Sequence, residues 1–228
     1  MLLNGTIAPA SSVTGRVQLK DSGDTSVRKK MDYSGVVVYL KPAAAAPAPG
    51  SSKHARMIQK NKTFVPHVLP IEVGTIVDFP NFDPIFHNAF SNYNGQLFDL
   101  SLYPPGSTRS VRFKRPGVVR VFCNIHATMS AVILVLDTPY FATTNREGLF
   151  DLQGVPAGDY DLGVFHERAT EQTLTALGRR VVVPSFPLPA VNMEISESGF
   201  LPIPHKNKYD QNYPPQPDEH TVYPVVRN

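Results

Sequence analysis

Short runs of β-branched and aromatic residues, set apart by Gly, Pro, Asn and Asp, recur along nearly the whole chain and predict strands. The runs fall at residues 13–19, 35–40, 56–64, 68–79, 87–90, 110–113, 118–122 and 131–136. Three or more further strands are expected between 148 and 183. Turn signals such as Pro104-Pro105-Gly106 and Pro116-Gly117 lie between them. Helix is expected nowhere. Residues 41–52, rich in Pro, Ala, Gly and Ser, read as a linker, because the prolines forbid a helix and the alanines offer little to bury. The pattern therefore predicts an all-β chain with a composition boundary near residue 42. From residue 198 to 228 the periodicity is lost, which suggests an extended tail lying on a surface or disordered.

Composition sharpens this picture. The chain has 228 residues, 42% hydrophobic and 18% charged, enough to bury a sizeable core. Its 22 prolines argue against long helices. The longest apolar runs, 36–40 and 131–136, fall far short of the roughly 20 residues of a membrane-spanning helix. A net charge of +3, with no basic run longer than Arg28-Lys29-Lys30, gives no footprint for nucleic acid. One cysteine, Cys123, excludes a disulfide framework, a multi-Cys zinc finger and a cysteine-ligated iron–sulfur cluster. The first residues show neither a charged n-region nor an apolar stretch of secretory length.

Candidate chemistry concentrates at Cys123, His126 and Met129, which stand at Cys-x2-His-x2-Met spacing between two predicted strands. Such a loop brings three donors together with little ordering left to do. His87 is the best fourth donor, since it follows the predicted strand 73–79 and the turn at Pro80-Asn81. Two imidazoles, a thiolate and a thioether form the ligand set of a blue copper electron-transfer site, and zinc seldom takes methionine. His67 is expected to be structural or to support the site, and His166, His205 and His220 to face solvent. Asp83 and Asp99 give no paired-carboxylate signal for hydrolysis. A cysteine nucleophile with His126 as its base would leave Met129 unexplained. No catalytic residues are therefore assigned.

The ordered donors, with the Pro66-His67 stretch, the run Val73-Gly74-Thr75-Ile76-Val77-Asp78-Phe79 and the His87-Asn88 pair, resemble the cupredoxins over residues 59–137. The likeness is to the amicyanin-like and methylamine utilisation protein-like members. It implies a Greek-key β-sandwich and one copper per chain, held by His87, Cys123, His126 and Met129. It further implies that Asn88 ties the two ligand loops together and that Asn124 helps to orient the thiolate. The flanks, through Val13-Thr14-Gly15-Arg16-Val17 and the Gly148-Leu149-Phe150 and Pro156-Ala157-Gly158 stretches, resemble a second family, the carboxypeptidase regulatory-like or transthyretin-like β-sandwich. Because the two flanks straddle the donor segment, residues 54–137 are expected to form a copper domain inserted into a discontinuous sandwich of residues 12–42 and 138–197.

The cupredoxin resemblance implies a non-enzymatic protein that mediates one-electron transfer between redox partners; the alternative is a copper-binding or delivery protein. A cytochrome or another cupredoxin is the expected partner, and a periplasmic or secreted location the expected compartment. Electrons are expected to leave through the edge of His126, with Ile125, Ala127, Ile85 and Phe86 as an apolar docking patch. Arg112, Lys114, Arg115 and Arg120 are expected to steer an acidic partner toward it.

Overall fold

The computed structural model describes residues 11–44, 53–92, 95–186, 189–202 and 204–214. In chain order its elements begin with β1 (Ser11–Lys20), α1 (Thr25–Lys30), β2 (Val37–Pro42), β3 (His54–Arg56), β4 (Ile58–Lys60), β5 (Thr63–Val65), β6 (Val68–Glu72) and β7 (Ile76–Pro80). They continue with β8 (Phe90–Ser91), β9 (Phe98–Asp99), β10 (Thr108–Arg112), β11 (Gly117–Phe122) and β12 (Ser130–Leu136). The last are β13 (Phe141–Thr143), β14 (Leu149–Val155), β15 (Gly158–Phe165), α2 (Glu171–Leu177), β16 (Arg179–Val183) and β17 (Val191–Ser196). The fold is all-β.

Two short helices correct the expectation of none. Asp24 caps the first by accepting the Ser26 N–H at 2.7 Å, and Thr170 caps the second by accepting the Thr173 N–H at 3.1 Å. Neither is long and apolar enough to cross a membrane.

Strands from both ends of the chain share sheets. One sheet runs β14-β1-β17 and another β13-β2-β15-β16. Between them Val13, Val17, Leu19, Val38, Leu40, Phe150, Leu152, Leu162 and Ile195 form one core. Alternation drives this: along β1 the buried positions are Val13, Gly15, Val17 and Leu19, and along β17 they are Val191, Met193 and Ile195. Gly15 is required where β1 meets β17, because a Cβ there would lie 1.9 Å from the Val191 carbonyl oxygen.

A second pair of sheets, β10-β7-β3 and β6-β12-β11-β8-β9, encloses another core around Met57, Phe64, Phe79, Tyr103, Phe113, Val121 and Ile133. Strand β12 is buried at every position from Ala131 to Leu136, which explains its unbroken apolar run. Ala131, Ile133 and Val135 face the core of their own sandwich. Val132, Leu134 and Leu136 instead pack on Val37 of β2 and Phe165 of β15, joining the two cores through a shared apolar wall.

Polar contacts rim that wall. Lys41 pairs with Asp137, Arg120 lies 3.6 Å from Glu167, and His67 bridges Glu167 and the Ser130 carbonyl oxygen. The hydrogen bond that His67 donates to Glu167, opposed by burial, raises the His67 pKa above its ordinary 6.5, so the pair stabilises the fold fully below 6.5 and loses that contribution as pH rises through the raised value. Solvent screening at this half-exposed ring limits the effect, so His67→Ala is expected to cost about 1 kcal/mol or less in urea unfolding at pH 6, shrinking toward pH 9.

Residues 41 and 42 belong to β2 rather than to a linker, and residues 45–52 lie outside the described residues. The expected strand at 68–79 is two strands turning at Gly74, and the one at 87–90 shrinks to β8.

Candidate metal centre

The three closest donors come from two loops at one end of the second sandwich. Asn81, at the end of β7, organises the first: its Nδ2 donates to the Ile85 carbonyl at 2.8 Å and its Oδ1 accepts the Asp83 N–H at 3.1 Å. This folds residues 81–86 back and presents His87, which exchanges backbone hydrogen bonds with buried Tyr103 at 3.2 and 2.8 Å. The second loop spans the turn from β11 to β12. Its ends are closed by Cys123 N–H to the Met129 carbonyl and Met129 N–H to the His126 carbonyl, both at 3.1 Å.

His87 is fully buried and its ring is fixed from behind. Nε2 lies 2.7 Å from Asp83 Oδ2, while the same carboxylate accepts the N–H groups of Asn61 and Lys62 at 2.6 and 2.8 Å. Burial pushes the Asp83 carboxyl up, but these hydrogen bonds outweigh it and hold the pKa below the usual range. An ionised carboxylate only accepts, so Nε2 carries a ring proton and Nδ1 is the nitrogen turned toward Cys123.

His87 Nδ1 lies 3.9 Å and His126 Nδ1 3.6 Å from Cys123 Sγ, and the three atoms all fall within 4.8 Å of one another. The two imidazoles meet edge to face with centroids 4.8 Å apart. Burial, reinforced by the neighbouring His87 and Lys62, depresses His126 to about 4, so its ring is neutral at neutral pH and carries one bare nitrogen. At Cys123 burial pushes the thiol up while the backbone N–H groups of Ile125, Asn88 and His126 favour the thiolate. Two ring nitrogens around a buried sulfur, with backbone N–H groups placed to support a thiolate once its proton is displaced, fit a soft cation. Met129 is fully buried in the same core as Cys123.

Asn88 is buried between the loops: Oδ1 accepts the Asn124 N–H at 3.0 Å and Nδ2 donates to Asp99 at 2.8 Å. The Asn124 side-chain Oδ1 accepts the Lys208 N–H at 3.0 Å, while the backbone N–H groups of Ile125, Asn88 and His126 serve the sulfur. Ile125 and Phe86 are exposed at 41% and 53%, and His126, Ala127 and Ile85 are half-buried beside them.

Several expectations are corrected. Lys114 and Arg115 stand before β11 and Cys123 after it, so at about 3.3 Å per residue they sit some 15–20 Å from the donors. Arg112 is near them, donating to the Gly74 carbonyl, and Arg120 faces Glu167 of the other sandwich. Lys114 and Arg115 thus stand at the other end of β11 from the donor loop. His166 is buried against Glu197 at 2.8 Å instead of facing solvent. His205 stacks on Phe122 with centroids 4.1 Å apart, and His220 lies outside the described residues. Sequence reasoning missed Asp83 as the partner of His87, although Asp-x3-His spacing carried a signal.

No family model matches this chain, and no curated protein does either. Among solved structures it is similar to a Cu-containing nitrite reductase from Thermus scotoductus SA-01, at 27% identity over 42% of this chain with a TM-score of 0.35. The chain spans only 27% of that reductase's length. A purple cupredoxin from Nitrosopumilus maritimus is 28% identical over 36% of this chain and 99% of its own, with a TM-score of 0.33. A reduced variant of amicyanin is 16% identical over 42% of this chain and 91% of its own, with a TM-score of 0.35.

Proposed function

We propose that the chain is a type 1 copper protein that carries single electrons between protein partners in the periplasm or outside the cell. The convergence of His87 Nδ1, Cys123 Sγ and His126 Nδ1 within 4.8 Å carries the reading. These atoms, with Met129 as the weak fourth donor, would hold one copper ion per chain. Bound there, copper supplies a one-electron couple. Asp83 locks the tautomer of His87, the closed loop from Cys123 to Met129 fixes the other donors, and the surrounding core excludes water. A site preformed in this way changes little when the charge changes by one, which suits transfer over turnover of a substrate.

The half-buried edge of His126 is the exit in this proposal. Ile125, Ala127, Ile85 and Phe86 form a small apolar surface on which a cytochrome or another cupredoxin docks briefly. The proposal also treats residues 54–137 as a copper domain inserted into a carboxypeptidase regulatory-like sandwich, a reading supported by the pairing of β1 with β14 and β17. Loading the full chain with Cu(II) is expected to give one equivalent of bound copper and an intense band near about 600 nm, the thiolate-to-copper transition of this ligand set. Preferential retention of zinc, or copper bound without that band, overturns the reading.

A further inference from the structure

The segment 204–214 lies against the loop that carries Cys123, more than seventy residues beyond it in the chain, and reaches the loop of His87 through Asp99. Tyr213 Oη donates to the Cys123 carbonyl oxygen at 2.7 Å, with His205 Nδ1 3.2 Å from the same oxygen of Tyr213. The His205 ring stacks on Phe122, the residue before Cys123, and meets the Tyr213 ring edge-on with centroids 5.2 Å apart.

Lys208 closes a ring of hydrogen bonds. Its backbone N–H donates to Asn124 Oδ1 at 3.0 Å and its Nζ to Asp99 Oδ2 at 2.8 Å. Asp99 Oδ1 accepts from Asn88 Nδ2 at 2.8 Å, and Asn88 Oδ1 accepts the Asn124 N–H at 3.0 Å, which returns the circuit to its start. Asn88 follows the donor His87 and Asn124 follows the donor Cys123, so one lysine fastens both loops to one another from outside. Within the segment, Asn207 Oδ1 accepts the N–H groups of Tyr209 and Gln211 at 2.9 and 3.0 Å, fixing the bend that lets Lys208 and Tyr213 reach their targets.

We propose that residues 204–214 form a built-in strap that sets the separation and rigidity of the two donor loops, with Lys208 and Tyr213 as its positioning residues. The strap's hydrogen bonds run to the Cys123 carbonyl oxygen, to Asn124 and to Asp99. The strap acts on the Cys123 carbonyl and on the residues that follow His87 and Cys123, and so governs how far the donors part when the bound charge changes. Removing an outer hydrogen bond of this kind typically weakens metal affinity about 10- to 100-fold. The inference rests on the copper reading for its metal-dependent arm only.

The test compares the full chain with Tyr213→Phe and Lys208→Ala, each leaving the donors and the core intact. In metal-free protein, hydrogen–deuterium exchange of peptides covering residues 84–92 and 122–130 is expected to quicken about tenfold, roughly the effect of one lost hydrogen bond, while peptides from β1 and β14 are unchanged. In copper-loaded protein each variant is expected to weaken Cu(I) binding about tenfold and to shift the reduction potential and the visible band, with Lys208→Arg restoring both. Loop exchange identical to that of the native chain in both variants overturns the strap, as does a native affinity, potential and band. Should the native chain bind copper without the blue band, the copper reading falls and the exchange arm alone decides the strap.

Discussion

Replacing Cys123 by serine is expected to abolish the visible band of the copper-loaded protein and to lower copper affinity by about 100-fold or more, since even outer-shell changes cost 10- to 100-fold. The hydroxyl cannot supply a thiolate at neutral pH, and the three backbone N–H groups that favour an anionic sulfur would surround a neutral oxygen instead. His87 Nδ1 and His126 Nδ1 remain as two nitrogens without the central soft donor. Absorbance and a competition titration against a Cu(I) chelator check this. A variant that stays blue sinks the assignment of Cys123 as the copper ligand.

Glu197→Gln is expected to cost about 1–3 kcal/mol in chemical unfolding, the range for leaving buried hydrogen-bonding groups without their partner, since Arg168 keeps its pairing with Asp24. The carboxylate, almost fully buried, accepts from Ser22 Oγ at 2.6 Å, from His166 Nε2 at 2.8 Å and from Arg168 Nε at 3.1 Å on both oxygens. It thereby joins the end of β17 to the segment before α1 and to the residues after β15. Burial pushes the Glu197 carboxyl up, but Arg168, Ser22 and His166 outweigh it, and the net pKa lies below the ordinary 4.5. A depressed carboxylate contributes stability above the unfolded value, and that contribution is lost as pH falls through the folded one. The native chain should therefore lose stability below about pH 4.5, and the glutamine variant should show a flatter acid limb. An equal loss of stability with acid in both proteins would count against the network.

How much of this was readable follows from where each signal lay along the chain. The strands read well because their pattern is local: the run 131–136 declared itself buried, although only the structure shows that its second face meets Val37 and Phe165. The grouping of Cys123 with His126 was legible because one tight loop holds them, and that of His87 because it follows a strand and a turn. The strand β17 was overlooked despite its alternation, as was α1, only six residues long with a single capping aspartate as its signal. The docking of Lys208 and Tyr213 left no trace in the sequence, since their partners lie 84 and 90 residues away. Lys114 and Arg115, near Cys123 in sequence, are separated from it by the length of β11.

The pairing of Tyr39 with Phe141 brings together residues about a hundred positions apart, a closure that in a flexible chain becomes dearer by roughly 0.6 kcal/mol with each doubling of length. Here the span between them is mostly folded, and its ends meet where Lys41 pairs with Asp137 and Thr138 Oγ1 donates to the Leu40 carbonyl at 2.7 Å. Once that sandwich has formed, β2 and β13 are joined as if by a short turn. The entropy of closing the long loop is then largely met by the folding of what lies within it, and the order of folding events favours the enclosed sandwich first.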